Sequence, residues 1–109
     1  MNVMTKPLAG DSVELCGYTF DLWRRELCFG DKKIRLSDPE AVMFRAIAEA
    51  RGEFVSRKRL CKVWAEYRDV RAESVLYNTL SAHICRLRAK MKPLGGRLIE
   101  TEWKLGYRL

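Results

Sequence analysis

The sequence is poor in the residues that build metal centres. It has one histidine, His83, and four cysteines, Cys16, Cys28, Cys61 and Cys85, none in a Cys-x-x-Cys spacing. A structural zinc site needs four clustered Cys/His ligands. Cys85 stands two residues from His83, a spacing that turns two side chains apart on a helix. No metal and no other cofactor is expected. There is also no Gly-rich phosphate loop and no Ser/His/Asp set, so the chain does not read as an enzyme. No run approaches the roughly 20 apolar residues of a membrane span, and the N-terminus lacks the apolar core of a signal peptide. These absences describe a reduced, cytoplasmic protein with no membrane partner, whose cysteines serve as small hydrophobes.

What is present is positive charge, unevenly placed. The 109 residues carry a formal net charge of +7. Residues 1–50 hold seven Lys/Arg against eight Asp/Glu, whereas residues 51–109 hold fourteen against six. A neutral half joined to a basic half suggests a scaffold with a polyanion-binding surface, although a basic solubilising surface would give the same totals. The length suits one domain.

Residues 1–12 read as a leader and 13–109 as the folded unit. Within 13–36, Tyr18, Phe20 and Leu22 alternate with Thr19 and Asp21, and Leu27 and Phe29 with Glu26 and Cys28. Gly30-Asp31 marks a two-residue hairpin turn, where glycine supplies positive φ. A helix over about 37–50 begins at Ser37, which forms a capping box with Glu40, with Pro39 in the first turn and Gly52 as a left-handed cap beyond the end. Ser56 caps a second helix over about 56–66, with Leu60, Val63 and Trp64 inward. A polar loop around 66–72 leads to a third helix over 73–91, stopped by Pro93 and Gly95-Gly96. Arg97–Thr101 and Leu105–Leu109 form a closing hairpin, 97–109. The fold class is α+β.

The third helix carries the sharpest signal. Leu76, Leu80, Ile84, Leu87 and Met91 share the stripe of a buried face. Opposite lie Asn78, Ala82, Cys85, Arg86 and Ala89, with Thr79 and His83 on the shoulder. Solvated faces usually carry long mixed charges; this one is small and polar with a single long cation at its centre. Small residues allow close approach to another surface. A helix pair whose second member is bare around Arg86 fits a major groove, where Arg86 can pair with guanine O6 and N7. Asn78, Thr79, Ser81 and His83 could add base or phosphate contacts. Arg57-Lys58-Arg59 at the second helix start oppose the helix dipole and would suit a phosphate clamp, or else form a tolerated solvated run. The closing hairpin carries Arg97, Trp103, Lys104 and Arg108, as a wing that touches DNA would. Plainer roles stand beside these: His83 as a cap, Arg88 as the partner of an acid, Trp103 as half-buried packing.

The stretch Thr79–Met91 (TLSAHICRLRAKM) resembles the recognition helix of OmpR/PhoB-type winged-helix domains, T-V-D-V-H-I-R-R-L-R-x-K-L. Leu36-Ser37-Asp38-Pro39-Glu40, Arg51–Arg57, Ile99-Glu100-Thr101 and Gly106-Tyr107-Arg108-Leu109 resemble four further motifs of that family in the same order, covering about residues 15–109. Cys85 and Trp103 resemble the CtrA-like branch of alphaproteobacterial regulators. The resemblance implies a bacterial winged helix-turn-helix: an N-terminal antiparallel sheet, three helices and a C-terminal hairpin wing. It implies a nucleoid-associated transcription regulator that reads double-stranded DNA, with the third helix in the major groove and the wing at the minor groove. Arg86 would be the main reader, Thr79, His83 and Arg88 would serve bases or phosphates, and Thr101 would contact DNA at the wing base. Lys90, Trp103 and Lys104, by their own charge and aromatic character on the third helix and the hairpin, join the expected interface. Ser81, Cys85 and Glu102–Leu105 depart from the family pattern. The loop near 65–75 looks longer than usual, and in relatives this loop touches RNA polymerase; polymerase and self-association on DNA are therefore candidate further partners. A receiver domain does not fit before residue 15, so the expectation is a stand-alone effector domain or a fragment of a longer regulator. The competing class is a winged-helix module that binds polymerase or another regulator without reading DNA.

Overall fold

The computed structural model describes residues 12–68 and 73–109; the side chains of 68 and 73–79 lie outside the description. The leader expected over 1–12 falls outside it except for Ser12. Four strands, β1 (Ser12–Leu15), β2 (Tyr18–Asp21), β3 (Glu26–Phe29) and β4 (Lys32–Arg35), form an antiparallel meander in sequence order. Register follows alternation: Val13 opposes Phe20 and Phe20 opposes Leu27, and all three are buried. One face of the sheet is therefore apolar, and the helices cover it. The expected Gly30-Asp31 turn joins β3 to β4, with Gly30 at φ 62°.

Helix α1 (Asp38–Glu49) starts where the capping box expects it. The Ser37 N–H donates to Glu40 Oε1 at 2.9 Å and the Glu40 N–H to Ser37 Oγ. Its apolar face buries Ala41–Phe44, Ile47 and Ala48, and Glu40 is buried beside them. The left-handed turn after α1 begins one residue before Gly52, since Arg51 also has positive φ. Helix α2 (Arg57–Arg68) is capped by Ser56, whose Oγ accepts from the Arg59 N–H at 3.0 Å. Besides Leu60 and Trp64 it buries Cys61 and Ala65. Helix α3 (Glu73–Met91) buries Leu80, Ile84, Leu87 and Met91, each at about 1.5–3 kcal/mol of transfer free energy. Leu76 lies among the undescribed side chains. The core is one cluster shared by sheet, helices and wing.

One expectation is corrected. The loop placed near 65–75 is mostly helix: α2 runs through Arg68 and α3 begins at Glu73, so only 69–72, outside the described residues, connect them. Glu66 and Tyr67 are exposed, which made a last helical turn look like loop. That turn carries an i,i+3 ring pair on one face of α2, the Tyr67 ring stacked on Trp64 with centroids 5.5 Å apart.

After a short 3-10 turn at Lys92–Leu94, β5 (Glu100–Glu102) pairs with β6 (Gly106–Arg108). The hairpin does not stand alone. Val55 N–H donates to Tyr107 O at 2.7 Å and Tyr107 N–H to Val55 O at 2.9 Å. This approach requires glycine at 106, where φ is 115° and a Cβ would lie 2.0 Å from Val55 O. The wing is thereby stitched to the start of α2.

Candidate nucleic-acid interface

On α3 the residues expected to face outward do so. Ser81, Ala82, Cys85, Arg86 and Ala89 are exposed, opposite the buried stripe. Asn78 and Thr79 fall in the segment whose side chains are not described. Arg86 Nη2 donates to His83 Nδ1 at 3.1 Å. His83 is half-buried, its ring edge-on to Trp64 with centroids 6.1 Å apart. Burial pushes the imidazole below its usual value, the Arg86 charge pushes the same way, and Glu40 partly opposes them. The ring is therefore neutral near pH 7, with its proton on Nε2, because a guanidinium only donates.

Two further cations of α3 are committed to protein partners. Among the described residues Arg88 pairs with no acid: Nε donates to Ile99 O at 2.9 Å and Nη2 to Thr101 Oγ1. Lys90 donates to Arg35 O and to Glu40 Oε1 at 2.6 Å. Glu40 is the buried charged residue of the described core. Burial pushes its carboxyl up, but the Lys90 hydrogen bond, the Ser37 N–H and the Lys90 charge outweigh this and hold it below the ordinary carboxylate value. Lys90 is thus first a structural counter-ion.

The basic run at α2 divides. Lys58 and Arg59 are exposed, while the Arg57 guanidinium lies 5.9 Å from the centroid of the Tyr107 ring and its Nε is buried without a hydrogen-bond partner among the described residues. In the wing, Trp103 is 74% exposed, so it is not packing, and Lys104 Nζ lies 5.8 Å from its ring centroid. Thr101 is exposed as well. Arg108 pairs with Glu100 at 2.9 Å and stacks over Phe54 at 4.5 Å. Sequence reasoning missed this Phe54 platform, because Phe54 reads as an extended link and its partner is 54 residues away. The contacts bring three parts together around β5–β6: the start of α2 through Val55 and Arg57, the second half of α3 through Arg88, and the wing itself. Among the described residues no cluster of His, Cys, Asp and Glu could hold a metal ion, and no helix is long and apolar enough to cross a membrane.

Comparison with known proteins agrees with this architecture. Residues 31–109 match the family model described as "Transcriptional regulatory protein, C terminal". The chain is similar to protein PetR of Rhodobacter capsulatus, 34% identical over 93 residues; the match covers 83% of this chain and 39% of PetR, so the chain spans about two fifths of that relative's length. Among solved structures it is similar to the C-terminal domain of the nisin resistance regulator NsrR, a lantibiotic response regulator (TM-score 0.75, 27% identity, 89% of this chain and 95% of that one). It shares the fold of the DNA-binding domain of Escherichia coli CadC (TM-score 0.70, 21%, 91% of each). It also shares that of the Klebsiella pneumoniae RstA DNA-binding domain, solved in complex with the RstA box (TM-score 0.70, 23%, 90% and 95%). The winged arrangement of sheet, three helices and hairpin, together with the family match over residues 31–109, means that the chain belongs to the OmpR/PhoB-type family of transcriptional regulator DNA-binding domains.

Proposed function

We propose that residues 13–109 form a sequence-specific double-stranded DNA-binding unit of a cytoplasmic, nucleoid-associated transcription regulator, with α3 in the major groove and the β5–β6 wing at the minor groove. The observation that carries this is the exposed face of small residues around Arg86, opposite a fully buried stripe. Arg86 reads a guanine; Asn78, Thr79, Ser81, Ala82, His83 and Cys85 line the approach to the bases. Lys58 and Arg59 take phosphates, with Arg57 behind them, and Thr101, Trp103 and Lys104 meet the duplex from the wing. Arg88 and Lys90 support this surface from their protein contacts. Self-association on adjacent half-sites would use the neutral sheet, because one winged helix buries only about 600–1,000 Å² of protein surface on DNA.

The test is selection of bound sites from a random duplex pool, followed by titration of Arg86→Ala. A recovered motif is expected, and the variant should lose discrimination of about 1–3 kcal/mol while keeping its affinity for random duplex. Equal weakening on specific and random duplexes would make Arg86 a phosphate contact.

A second reading has its own observation. Tyr67 and Leu105, both more than half exposed, line a groove of about 830 Å³ with Leu22, Val42, Ala46 and Phe54. This favours a protein contact, with RNA polymerase or another regulator, at the end of α2. Such binding would lack the steep salt dependence of phosphate neutralisation.

A further inference from the structure

We propose that His83 is a positioning residue for base discrimination: its unprotonated ring accepts a hydrogen bond from Arg86 and aims the guanidinium, so that selectivity, but not general duplex affinity, is lost when the ring takes up a proton. The inference rests on the reading of Arg86 as the base reader.

The geometry supplies each step. An arginine on an exposed helix face samples many rotamers, and ordering it on binding costs selectivity. Here one N–H of the fork is already engaged, from Nη2 to His83 Nδ1 at 3.1 Å. The other N–H groups have no partner among the described residues, which leaves a pair of donors for a guanine edge. The acceptor is itself held. His83 is half-buried and edge-on to Trp64, and Trp64 stacks on Tyr67 with the two rings only 14° from parallel. Tyr67, Trp64, His83 and Arg86 thus form a continuous support from the end of α2 to the exposed face of α3.

Protonation reverses the contact. An imidazolium donates from both nitrogens and has no acceptor for a guanidinium. Two cations would then face each other across the same 3.1 Å, and Arg86 must swing away. Among the described residues the charged groups around the ring are few. On α3 it meets Arg86; from α1 it feels Glu40, whose carboxylate is taken by Lys90 and the Ser37 N–H. From α2 it meets Trp64, with Tyr67 stacked behind it. The new charge adds to the attraction for phosphates, so affinity for random duplex does not fall.

The experiment uses the full chain and two duplexes, one carrying the site selected near pH 7.5 and one scrambled, titrated from about pH 8 to about pH 5 at constant ionic strength. The specific-to-scrambled affinity ratio of the wild type should fall roughly tenfold as the pH drops, while binding to the scrambled duplex does not weaken. His83→Asn places Oδ1 where Nδ1 stands, so it should keep the high ratio with a flat pH profile. His83→Phe should show the low ratio at every pH, with its helical circular dichroism intact. A flat wild-type ratio, a His83→Phe chain that still discriminates, or an Asn variant that does not restore the ratio overturns the proposal. If Arg86→Ala loses discrimination in the same assay while His83→Phe keeps it, only the positioning role fails; if Arg86→Ala keeps it, the reader assignment fails as well.

Discussion

Arg88 and Thr101 are hydrogen-bonded side chain to side chain, and the same guanidinium holds the carbonyl of Ile99. One residue of α3 thus fixes where the wing begins. Because α3 is itself packed through Leu80, Ile84, Leu87 and Met91, the wing inherits the helix's position. On the proposed reading, in which α3 and the wing meet two grooves, such a strut sets their spacing before DNA arrives.

Arg88→Lys keeps the charge and loses the fork. The expected result is a loss of about 1 kcal/mol in stability and faster amide hydrogen exchange in β5 and β6. Duplex affinity should drop although no cation has been removed. Unchanged exchange rates with weakened binding would instead make Arg88 a direct DNA contact.

The Glu40–Lys90 pair predicts an acid-sensitive fold. Glu40 has a carboxyl value below its unfolded one, so its contribution to stability is present above about pH 4.5 and disappears as the pH falls through the folded value. Lys90→Met leaves the carboxylate buried with Ser37, backbone and side chain, as its remaining support among the described residues. Urea unfolding near pH 7 should show a cost of about 1–2 kcal/mol, kept modest because Lys90 is itself partly exposed. Burial then acts on the carboxyl with less opposition and raises its folded value, so Glu40 contributes less to the acid loss and the stability gap between variant and wild type should narrow as the pH falls.

Gly106→Ala should be among the most destabilising single changes in the chain. It combines a positive φ with a Cβ placed 2.0 Å from the Val55 carbonyl oxygen, a backbone atom that cannot move without breaking the Val55–Tyr107 pairing. A loss of more than about 2 kcal/mol is expected in thermal or urea melts. Gly52→Ala, whose Cβ would meet nothing within 4 Å, should cost less.

Lys58 and Arg59 can be tested without disturbing the fold, whereas Arg57 cannot, because it lies over Tyr107. Changing Lys58 and Arg59 to Gln should leave the melting curve within about 0.5 kcal/mol. It should weaken binding to every duplex and flatten the log–log salt dependence by about 0.9 per lost phosphate contact. A wild-type slope in the double variant would place both residues in solvent.

Features governed by near neighbours were legible in the sequence. The capping box at Ser37 and Glu40, the turn at Gly30-Asp31, the buried stripe of α3 and the exposed Arg86 all follow from spacings of two to four residues, and backbone geometry translates such spacings directly into faces and turns. The end of α2 was misread although its signal is local: the polar residues there look like loop, whereas Trp64 and Tyr67, three residues apart, pair on one helix face. Which cations are taken by protein partners was decided only by tertiary structure. Lys90 finds Glu40 fifty residues away, Arg57 finds Tyr107, Arg108 finds Phe54 and Arg88 finds the wing. A buried carboxylate, an aromatic face and an unpaired carbonyl each attract the nearest long cation, and folding, not sequence order, sets which one is nearest.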